Sequence, residues 1–331
     1  MGVIRWGILG CGRIARKFAA DLAYVKGATL HAVGARQLSN AQAFAREFPA
    51  AHVHGSYEEL AADPEVDVIY IASPHSHHYE HTLLCLQHRK AVLCEKAFAI
   101  NLRQASEMVS MAKKNGVFLM EAVWTKFLPH FQKVQEMVAK GDIGEIRNVL
   151  VNFGFIPLPP VPPRVYDPAL GGGTLLDIGI YNVFMALSFL GRPDIIEASM
   201  DPAPTGIDEQ CAILFKYKNG AMAQLFSSFS TNLATEADIS GTKGRIRLTN
   251  RFYAPGTIIE FFPGKEDSKQ MIPYLKEAGS GYQFEARHVG ECLQRGLLES
   301  PIMTHADTLM LMETLDRVRL AAGIKYAVDG N

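Results

Sequence analysis

An aspartate and a tyrosine lie four residues apart, at Asp177 and Tyr181, shortly after the glycines 171–173. A helix through this segment would place both side chains on one face. A phenol stabilised by nearby cations can act as an acid or a base, and a carboxylate can hold a substrate hydroxyl. The pair therefore predicts an acid–base site, with a helix N-terminal aspartate and a core tyrosine as the alternative.

A glycine-rich turn near the start predicts dinucleotide binding. The apolar run Val3–Leu9 has the length of a buried strand, and it leads into Gly10-Cys11-Gly12-Arg13-Ile14-Ala15 and an amphipathic helix. In such a Gly-x-Gly-x-x-Ala turn the first glycine permits the tight turn and the second lets a pyrophosphate approach, while the helix N-terminus supplies free N–H donors. Because a strand and a helix flank the turn, a dinucleotide cofactor is the leading interpretation.

The residues at the end of the next predicted strand, Ala28–Ala35, indicate which dinucleotide the protein binds. An NAD-specific site places Asp or Glu there for the ribose 2′-hydroxyl, whereas an arginine suits the 2′-phosphate of NADP. No acidic residue lies between Asp21 and Glu47, while Arg36 and Ser39 follow the strand. The sequence therefore predicts NADP rather than NAD, with a solvated loop arginine as the alternative.

Lys96 is a second candidate for proton chemistry, because it follows the predicted strand Ala91–Cys94 and the acidic Glu95. Ligands bind at the carboxyl ends of strands in an open parallel sheet. A lysine held there beside a cationic nicotinamide, and partly desolvated, would have a lowered pKa and could move or steer a proton. A solvated lysine without a catalytic role is the alternative.

A cluster of histidines, Ser73-Pro74-His75-Ser76-His77-His78, follows the apolar run Val66–Ala72, and His81 lies one turn beyond His77. His77 and His81 could ligate a metal. A helix dipole and an exposed polar face explain them at least as well, and no Cys or carboxylate completes a ligand set. We therefore expect no metal at these histidines.

Composition narrows the function further. The 331 residues are 48% hydrophobic, which is enough to fill two cores. A net charge of −1 and a pI of about 6.8 give no basic field for nucleic acid or anionic lipid. Five scattered cysteines in apolar segments indicate reduced thiols and a cytoplasmic location. No signal peptide is recognisable and no apolar run approaches about 18 residues, so no membrane partner is expected.

The pattern of helices and strands predicts two domains. Up to residue 122 short apolar strands alternate with helices, which is typical of a Rossmann fold with a doubly wound parallel sheet. These strands are Val3–Leu9, Ala28–Ala35, His52–His54, Val66–Ala72, Ala91–Cys94 and Val117–Glu121. Residues 123–331 would form an α+β domain for substrate binding and oligomerisation, with a large, mainly antiparallel open sheet. Its strands are Ile146–Phe155, Ile195–Met200, Gln210–Tyr217, Ala221–Ser228, Glu236–Ser240, Gly244–Leu248 and Thr257–Phe262.

Together the chemical motifs resemble those of the glucose–fructose oxidoreductase / inositol dehydrogenase (Gfo/Idh/MocA) family. The matching segments are the strand and turn ending at Ala15, Ser73–His78, Glu95-Lys96 and Asp177–Tyr181. Three more segments resemble the dimeric dihydrodiol dehydrogenase branch, which also oxidises D-xylose at C1 with NADP. These are Phe118–Phe127, Ser240–Gly244 and Tyr282–Val289.

The resemblance implies roles for individual residues. Lys96 and Tyr181 would be the catalytic pair, and Asp177 would orient the substrate. Trp124, Arg147 and Phe153 would line the substrate pocket. The cofactor would contact Gly10, Cys11, Gly12, Arg13, Ile14, Arg36, Ser39, Ser73, Pro74, His75, His78, Glu95 and Lys96. Ala97 stands where the family has proline after its Glu-Lys pair.

The expected function is an NADP-dependent dehydrogenase that moves a hydride between a CH–OH group of a sugar, polyol or trans-dihydrodiol and nicotinamide C4, in the cleft between the domains. Tyr181 would take the hydroxyl proton while Lys96 lowers its pKa. The alternatives are another activity of the family, such as inositol or other sugar dehydrogenation or NAD-assisted glycoside hydrolysis, and a cofactor-sensing regulator without turnover. A regulator would not need Lys96, Asp177 and Tyr181 together.

The second sheet also predicts a homodimer. Strands Gln210–Tyr217, Ala221–Ser228 and Glu236–Ser240 would form successive hairpins, with one sheet face covered by a helix at Tyr181–Leu190. No second set of helices in this half covers the other face. An uncovered apolar face of that size indicates an interaction surface. A second copy of the chain, related by a two-fold axis, is the simplest partner for it.

Overall fold

The computed structural model describes residues 2–264 and 268–329. The chain divides into two compact units: Met1–Phe127 with Glu277–Leu309, and Leu128–Lys276 with Met310–Asn331. The first unit therefore runs slightly past the boundary predicted at residue 122, and it also takes a segment from late in the sequence.

The first unit holds a six-stranded sheet with the strand order β3-β2-β1-β4-β5-β6. The paired strands in it all run parallel, which confirms the predicted Rossmann fold. The strands are β1 (Ile4–Leu9), β2 (Ala28–Gly34), β3 (His52–His54), β4 (Val68–Ile71), β5 (Ala91–Glu95) and β6 (Leu119–Ala122). The helices between them are α1 (Arg13–Leu22), α2 (Leu38–Glu47), α3 (Tyr57–Ala62), α4 (His78–Gln87) and α5 (Leu102–Asn115).

The central strands of this sheet are buried along their whole length. Every residue of β4, β5 and β6 is buried. Strands covered on both faces need apolar side chains at successive positions rather than at alternate ones. This explains why β4 and the Ala91–Cys94 part of β5 are continuous apolar runs. Two buried acids are the exceptions: Glu95 is the last residue of β5, and Glu121 is the last but one of β6.

The second unit holds an eight-stranded sheet with the order β14-β13-β12-β11-β7-β10-β9-β8. It is antiparallel except where β7 and β10 pair in parallel, so the predicted mainly antiparallel sheet is confirmed. The strands are β7 (Ile146–Gly154), β8 (Ile195–Pro202), β9 (Asp208–Lys216), β10 (Met222–Ser228), β11 (Glu236–Gly241), β12 (Gly244–Thr249), β13 (Ile258–Pro263) and β14 (Gln270–Ile272). Two helices precede most of them in sequence, α6 (Pro129–Ala139) and α7 (Ile180–Leu190).

The predicted run of successive hairpins is wrong at one position. Strands β9 and β10 do form a hairpin, but β7 lies between β10 and β11. Strand β7, which precedes α7 in sequence, thus lies in the middle of the sheet. The order of the strands along the chain does not reveal such an insertion.

The two faces of this sheet differ, as the alternation along β9 predicts. Cys211, Ile213 and Phe215 are buried, whereas Ala212 is exposed. The outer face is not uniformly apolar, however. It carries an apolar patch of four side chains from neighbouring strands, Leu150, Leu214, Met222 and Phe226, with the exposed Gln224 between Leu150 and Leu214. Charged pairs lie on the same face, among them Arg247 with Glu236.

One segment of the second unit has the length and composition of a membrane span. The most apolar 18-residue window of Pro168–Leu190 has a mean hydropathy of 1.5, but 78% of that window is buried inside the protein. Helix α7, which ends this segment, is buried from Ile180 to Leu187. The segment is therefore a core helix of the second unit.

The last two helices are α8 (Tyr282–Gln294) and α9 (His305–Ala322). The sequence pattern predicts a long helix over His305–Ala322, which are the bounds of α9, whereas it does not predict α8. Helix α8 begins after Gly281, whose φ is 110° and which has no side chain that could cap the helix. The carboxylate of Asp21 caps it instead, accepting hydrogen bonds from the backbone N–H groups of Ser280 and Tyr282.

Candidate active site

The Gly10–Ala15 turn has the geometry that dinucleotide phosphates require. Gly10 has a φ of 94°, and a Cβ there would lie 3.3 Å from the carbonyl carbon and oxygen of Ala72. A Cβ on Gly12 would meet nothing within 4 Å, so the backbone is open to an approaching group at that point. Gly12 is the N-cap of α1, whose first turn has no acidic residue. The positive end of the helix dipole is therefore available to an anion.

A cavity of about 460 Å³ adjoins this turn. Among its lining residues Arg16 and Arg36 are cationic and none is acidic; the others are Cys11, Ala35, Gln37, Asn40, Ala43 and Tyr57. Arg36 hydrogen-bonds the Tyr57 phenol, which opposes the increase in the pKa of Tyr57 that burial causes. Ser39 does not line the cavity. The lining therefore fits an anionic group better than the neutral diol of an unmodified ribose.

Lys96 follows β5 in the same unit, next to a buried acid. The Glu95 carboxylate accepts hydrogen bonds from the Tyr70 phenol and, at 3.2 Å, from the backbone N–H of Lys96. Glu95 is only 8% exposed. The Tyr70 ring is stacked on Phe18 of α1 at a centroid distance of 3.8 Å. Through Tyr70, Glu95 is therefore attached to the core of the first unit. This contact holds the backbone at Lys96 in place.

His78 joins the two loops in which the sequence predicts cofactor contacts. It is fully buried, and its Nδ1 and Nε2 lie 2.7 Å and 2.8 Å from the carbonyl oxygens of Ala97 and Ser73. Burial, together with the charge of nearby Lys96, lowers the pKa of His78 to about 4. With both nitrogens facing backbone, His78 positions these loops and does not present an atom to a cofactor.

The neighbouring histidines also have protein partners. His81 Nδ1 lies 2.9 Å from Ser73 Oγ, and His77 Nδ1 lies 2.7 Å from Ser76 Oγ. The rings of His77 and His81 are 5.6 Å apart at their centroids. His75 is buried in a short 3-10 turn between Pro74 and α4. The loop is therefore held by internal hydrogen bonds, which accounts for its many histidines.

Trp124 lies just after β6 and stacks on Tyr282, the first residue of α8, with a centroid distance of 4.6 Å and an interplanar angle of 20°. Both rings are largely buried, at 8% and 6% exposure. Sequence reasoning named Trp124 and did not name Tyr282 as its partner. The signal that could have found it is the segment Tyr282–Val289, which the family resemblance had already singled out.

Asp177 and Tyr181 lie in the second unit on a continuous helical segment. Asp177 belongs to a π-helical turn, Leu175–Gly179, that leads directly into α7. Its Oδ1 accepts a 3.1 Å hydrogen bond from Arg164. Tyr181 is in the first turn of α7 and is 7% exposed. Single π turns inside helices are frequent at functional sites.

An aromatic cluster surrounds Tyr181. Its ring centroid lies 4.9 Å from that of Tyr253 and 6.1 Å from that of Phe153. Phe153 and Tyr253 are themselves stacked at 4.5 Å. Sequence reasoning missed Tyr253, which follows a turn where Asn250 and Arg251 both have positive φ. The structure thus brings Phe153 and Tyr181 together.

A buried aspartate fixes the start of the Asp177 segment. Asp208 is fully buried and accepts hydrogen bonds from Thr174 Oγ1 at 2.8 Å and from the backbone N–H of Leu175 at 2.6 Å. Burial raises its pKa to about 6, and these hydrogen bonds oppose the increase. A Cβ on Gly173 would lie 2.1 Å from Asp208 Oδ1. This explains the third glycine in the run 171–173.

Arg147 lies apart from this cluster. Arg147 is the second residue of β7, whereas Phe153 is near the other end of the strand, about 20 Å away along an extended chain. The guanidinium is exposed and bonds to Glu145 at 2.8 Å and to the carbonyl of Asn219 at 2.7 Å. Within the second unit, Arg147 therefore does not lie beside Phe153 and Tyr181, and its place in the substrate pocket stays a prediction.

Comparison with known proteins gives consistent matches. Residues 4–123 match the oxidoreductase family with an NAD-binding Rossmann fold, and residues 131–247 match the GFO/IDH/MocA C-terminal domain. The chain is 39% identical to a trans-1,2-dihydrobenzene-1,2-diol dehydrogenase of Mus musculus, over 98% of this chain and 99% of that protein. A Xenopus tropicalis enzyme of the same name is 37% identical over 97% and 99%.

A solved structure matches as well. KijD10, a 3-ketoreductase from Actinomadura kijaniata in complex with NADP and TDP-benzene, superimposes with a TM-score of 0.87 at 26% identity. The match covers 97% of this chain and 98% of that chain. The similarity therefore extends across both units of the chain.

Proposed function

This chain belongs to the Gfo/Idh/MocA family of oxidoreductases, and we propose that it is an NADP-dependent dehydrogenase acting on a CH–OH group of a trans-dihydrodiol, sugar or polyol. The reaction type is supported by the dehydrogenases and the ketoreductase to which the chain is similar over almost its full length. The observation that carries the cofactor assignment is the cavity beside Gly10–Ala15, lined by Arg16 and Arg36 and by no carboxylate.

The residues of the first unit would hold NADP by its phosphates. The backbone of Gly10–Ile14 and the N-terminus of α1 would hold the pyrophosphate. Arg36 would pair with the 2′-phosphate, for which its planar fork is well suited. When bound, NADP supplies a nicotinamide ring that accepts or donates a hydride at C4. KijD10, which is similar in fold and sequence, is solved with NADP.

Proton transfer would belong to side chains of this protein. Tyr181 would take the proton of the substrate hydroxyl in oxidation and return it in reduction. Lys96 would stabilise the phenolate form of Tyr181 by its positive charge, which lowers the pKa of a phenol. Asp177 would accept a hydrogen bond from a substrate hydroxyl. Arg164 supports this last role because it orients the Asp177 carboxylate.

The aromatic cluster suits a ring-shaped substrate. The stacked rings of Phe153 and Tyr253 lie beside Tyr181, the proposed acid–base group, and the partly exposed Tyr253 would present its outer face to a substrate. Flat apolar faces pack well against the C–H faces of a cyclic diol or a sugar. The polar partners, Tyr181 and Asp177, would then select among such rings through their hydroxyl groups.

The experiment that tests this function is a turnover assay. A panel of dihydrodiols, pentoses, hexoses and cyclic polyols is incubated with NADP and, separately, with NAD, while the absorbance band of the reduced nicotinamide is followed. Turnover of at least one panel member with NADP is expected. A chain that binds NADP tightly but turns over no member would contradict the catalytic proposal and support a sensing role.

We also propose a homodimer that forms through the outer face of the eight-stranded sheet. Leu150 is 37% exposed and lies in the apolar patch with Leu214, Met222 and Phe226. Charged pairs on the same face, such as Arg247 with Glu236, would set the register of the two copies. An apolar centre with a charged surround is typical of protein interfaces.

A cytoplasmic location belongs to the same proposal. All five cysteines are free thiols, and four of them, Cys85, Cys94, Cys211 and Cys292, are buried. Thiols remain reduced in the cytosol, whereas secreted proteins tend to pair them.

A further inference from the structure

Three histidines and two carboxylates converge at the β3 edge of the first sheet. His31 is on β2, and His52 and His54 are on β3. Asp63 and Glu65 lie in the loop between α3 and β4. In the described parts of the chain, the ligand atoms of His31, His52 and Glu65 all lie within 4.8 Å of one another. No step of the proposed reaction uses any of these side chains.

His31 is directed into the cluster by an irregularity of its strand. Leu30 pairs with Trp6 and Ala32 pairs with Gly7, so His31 is the extra residue of a β-bulge. A bulge commonly changes the direction of one side chain relative to the regular strand. The His31 ring accordingly packs edge-on against His52, with a centroid distance of 4.8 Å. The neighbouring strand therefore supplies an imidazole that regular alternation would have pointed elsewhere.

The separations of the Glu65 carboxylate from the two imidazoles are longer than good hydrogen bonds and suit metal ligands. Glu65 Oε2 lies 3.5 Å from His31 Nε2 and 3.3 Å from His52 Nε2. Ligand atoms about 2.0–2.1 Å from a tetrahedral Zn²⁺ are about 3.4 Å apart. His31 Nε2 is buried and has no hydrogen-bond partner among the described residues. A buried ring nitrogen without a partner is costly, and coordination to a metal would satisfy it.

The second nitrogen of His52 has the partner that a metal-bound histidine usually has. His52 Nδ1 lies 2.7 Å from Oδ2 of Asp63, whose side chain is 2% exposed. The other carboxylate oxygen, Oδ1, accepts a hydrogen bond from the backbone N–H of Glu65 at 2.9 Å. Hydrogen-bonding from Nδ1 to a carboxylate fixes the tautomer of an imidazole and directs Nε2 to the metal.

The loop that carries both carboxylates is held in place. The Lys90 ammonium donates to the backbone carbonyl oxygens of Asp63 and, at 2.9 Å, of Val66. His54 Nε2 lies 2.9 Å from Asp63 Oδ2 and fixes the carboxylate from a second side. Glu65 itself is 52% exposed, so an ion could reach the cluster from solvent. The donors are thus oriented before any ion arrives.

We propose that His31 Nε2, His52 Nε2 and Glu65 Oε2 bind a divalent transition-metal ion of the Zn²⁺ type, with water completing the coordination. Two imidazoles and one carboxylate form a ligand set that Zn²⁺ and Co²⁺ accept. Asp63 is a positioning residue that acts through His52. The bound ion would join β2, β3 and the loop before β4. This site is independent of the proposed dehydrogenase activity.

The test is metal titration of the full chain without a histidine tag, after treatment with a chelator. Co²⁺ should bind with one ion per chain and give the visible absorption of a four- or five-coordinate site, and Zn²⁺ should displace it. His31→Ala, His52→Ala and Glu65→Gln should each lose stoichiometric binding. Asp63→Asn should keep binding but weaken it by roughly 10–100-fold.

Two variants make the outcome specific. His88→Ala removes an exposed histidine at the end of α4 and should bind Co²⁺ as the wild type does. His54→Ala should retain the ion, because the His54 imidazole bonds to Asp63 and is not one of the three proposed ligands. Loss of binding in His54→Ala with retention in His31→Ala would place the ion on His52 Nδ1, His54 and Asp63 and overturn the proposal. Absence of stoichiometric binding to the wild type would overturn it as well. Glu65→Gln changes an exposed side chain, so its folding is not at risk.

Discussion

The carboxylate of Asp21, at the end of α1, accepts a 2.8 Å hydrogen bond from the backbone N–H of Tyr282, at the start of α8. It also accepts bonds of 2.8 Å and 2.9 Å from the N–H of Ser280. Asp21 is 2% exposed. One buried anion therefore neutralises the positive end of a helix that lies far along the chain. This contact helps to attach the late segment Glu277–Leu309 to the first unit.

Replacing Asp21 with Ala should destabilise the protein strongly. The change leaves the N–H groups at the start of α8 without an acceptor, and we expect the free energy of unfolding to fall by about 3 kcal/mol. Urea denaturation checks this. Asp142→Ala, at an exposed aspartate, is the control and should change the unfolding free energy by less than about 0.5 kcal/mol. Equal stability of the two variants would show that Asp21 is not the anchor.

Replacing Arg36 with Ala should weaken NADP binding selectively. A charge-assisted contact with the 2′-phosphate is worth about 1.5–3 kcal/mol, so the Kd for NADP should rise by roughly 10–150-fold. The Kd for NAD should change little. Titration calorimetry with both cofactors measures this, and Arg46→Ala, at an exposed arginine of α2 outside the cavity, is the matched control. Equal affinity of the wild type for NADP and NAD would refute the cofactor assignment.

Removing either proposed acid–base group should slow the reaction without loss of cofactor. Tyr181→Phe and Lys96→Met should each lower kcat by roughly 10²–10⁴-fold, the usual contribution of general acid–base catalysis. The double variant should be little slower than the single variants, because the two groups act as one unit. Tyr217→Phe removes another phenol of the second unit, one that bonds to the Gly191 carbonyl, and should leave kcat unchanged. Near-normal turnover by Tyr181→Phe would exclude it as the acid–base group.

A buried glutamate should make stability depend on pH. Burial raises the pKa of Glu121 to about 8 from 4.5, against hydrogen bonds from Thr308 and the Phe98 amide. Between these two pH values the folded state holds a proton that the unfolded state has released. The free energy of unfolding should therefore fall as pH rises, by up to about 1.4 kcal/mol per pH unit from this group.

The variant Glu121→Gln isolates this effect. Its stability relative to the wild type should increase steadily from pH 5 to pH 8, measured by urea denaturation at each pH. Glu58→Gln, at an exposed glutamate of α3, should run parallel to the wild type. A pH-independent difference between Glu121→Gln and the wild type would mean that Glu121 ionises normally.

The outer face of the second sheet should hold two copies together. A charge within the apolar patch, introduced by Phe226→Arg, should convert a dimer into a monomer, because an unpaired buried charge is strongly unfavourable. Light scattering at micromolar concentration measures the mass. Leu320→Arg, at a leucine of α9 that is 85% exposed, should leave the mass unchanged. A wild-type mass of one chain with full activity would contradict the dimer.

The parallel half of the fold was predictable because its signals are local. The apolar runs of β4 and β5 end at the polar residues Ser73 and Glu95. The sequence pattern also predicts helices over Tyr57–Ala62 and Leu102–Asn115, which are the bounds of α3 and α5. Helix α8 was missed because its cap, Asp21, is 261 residues away from Tyr282 and the preceding Gly279-Ser280-Gly281 suggests a loop. The insertion of β7 between β10 and β11 likewise has no local signal.

The site was predictable only where a motif marks a residue. Asp177 and Tyr181 were identified by type and spacing, but their partners Arg164 and Tyr253 reach them across loops and follow no periodic pattern. His78 is a polar residue that the family resemblance placed at the cofactor, yet its ring is fully buried between two carbonyl oxygens. The cluster around His31 depends on a bulge, which the alternation of a strand does not reveal.

The division of the chain into units has a consequence for its synthesis. The first unit is complete only when Leu309 has been made, and the second also includes the residues from Met310 onward. When a ribosome has made Phe127, α1 is already present but α8 and the ring of Tyr282 are not. Phe18 and Trp124 therefore remain incompletely covered until residues 128–294, about half of the chain, have been made. Premature termination anywhere before the last helix would leave both cores open, and such fragments should be substrates for chaperones and proteases.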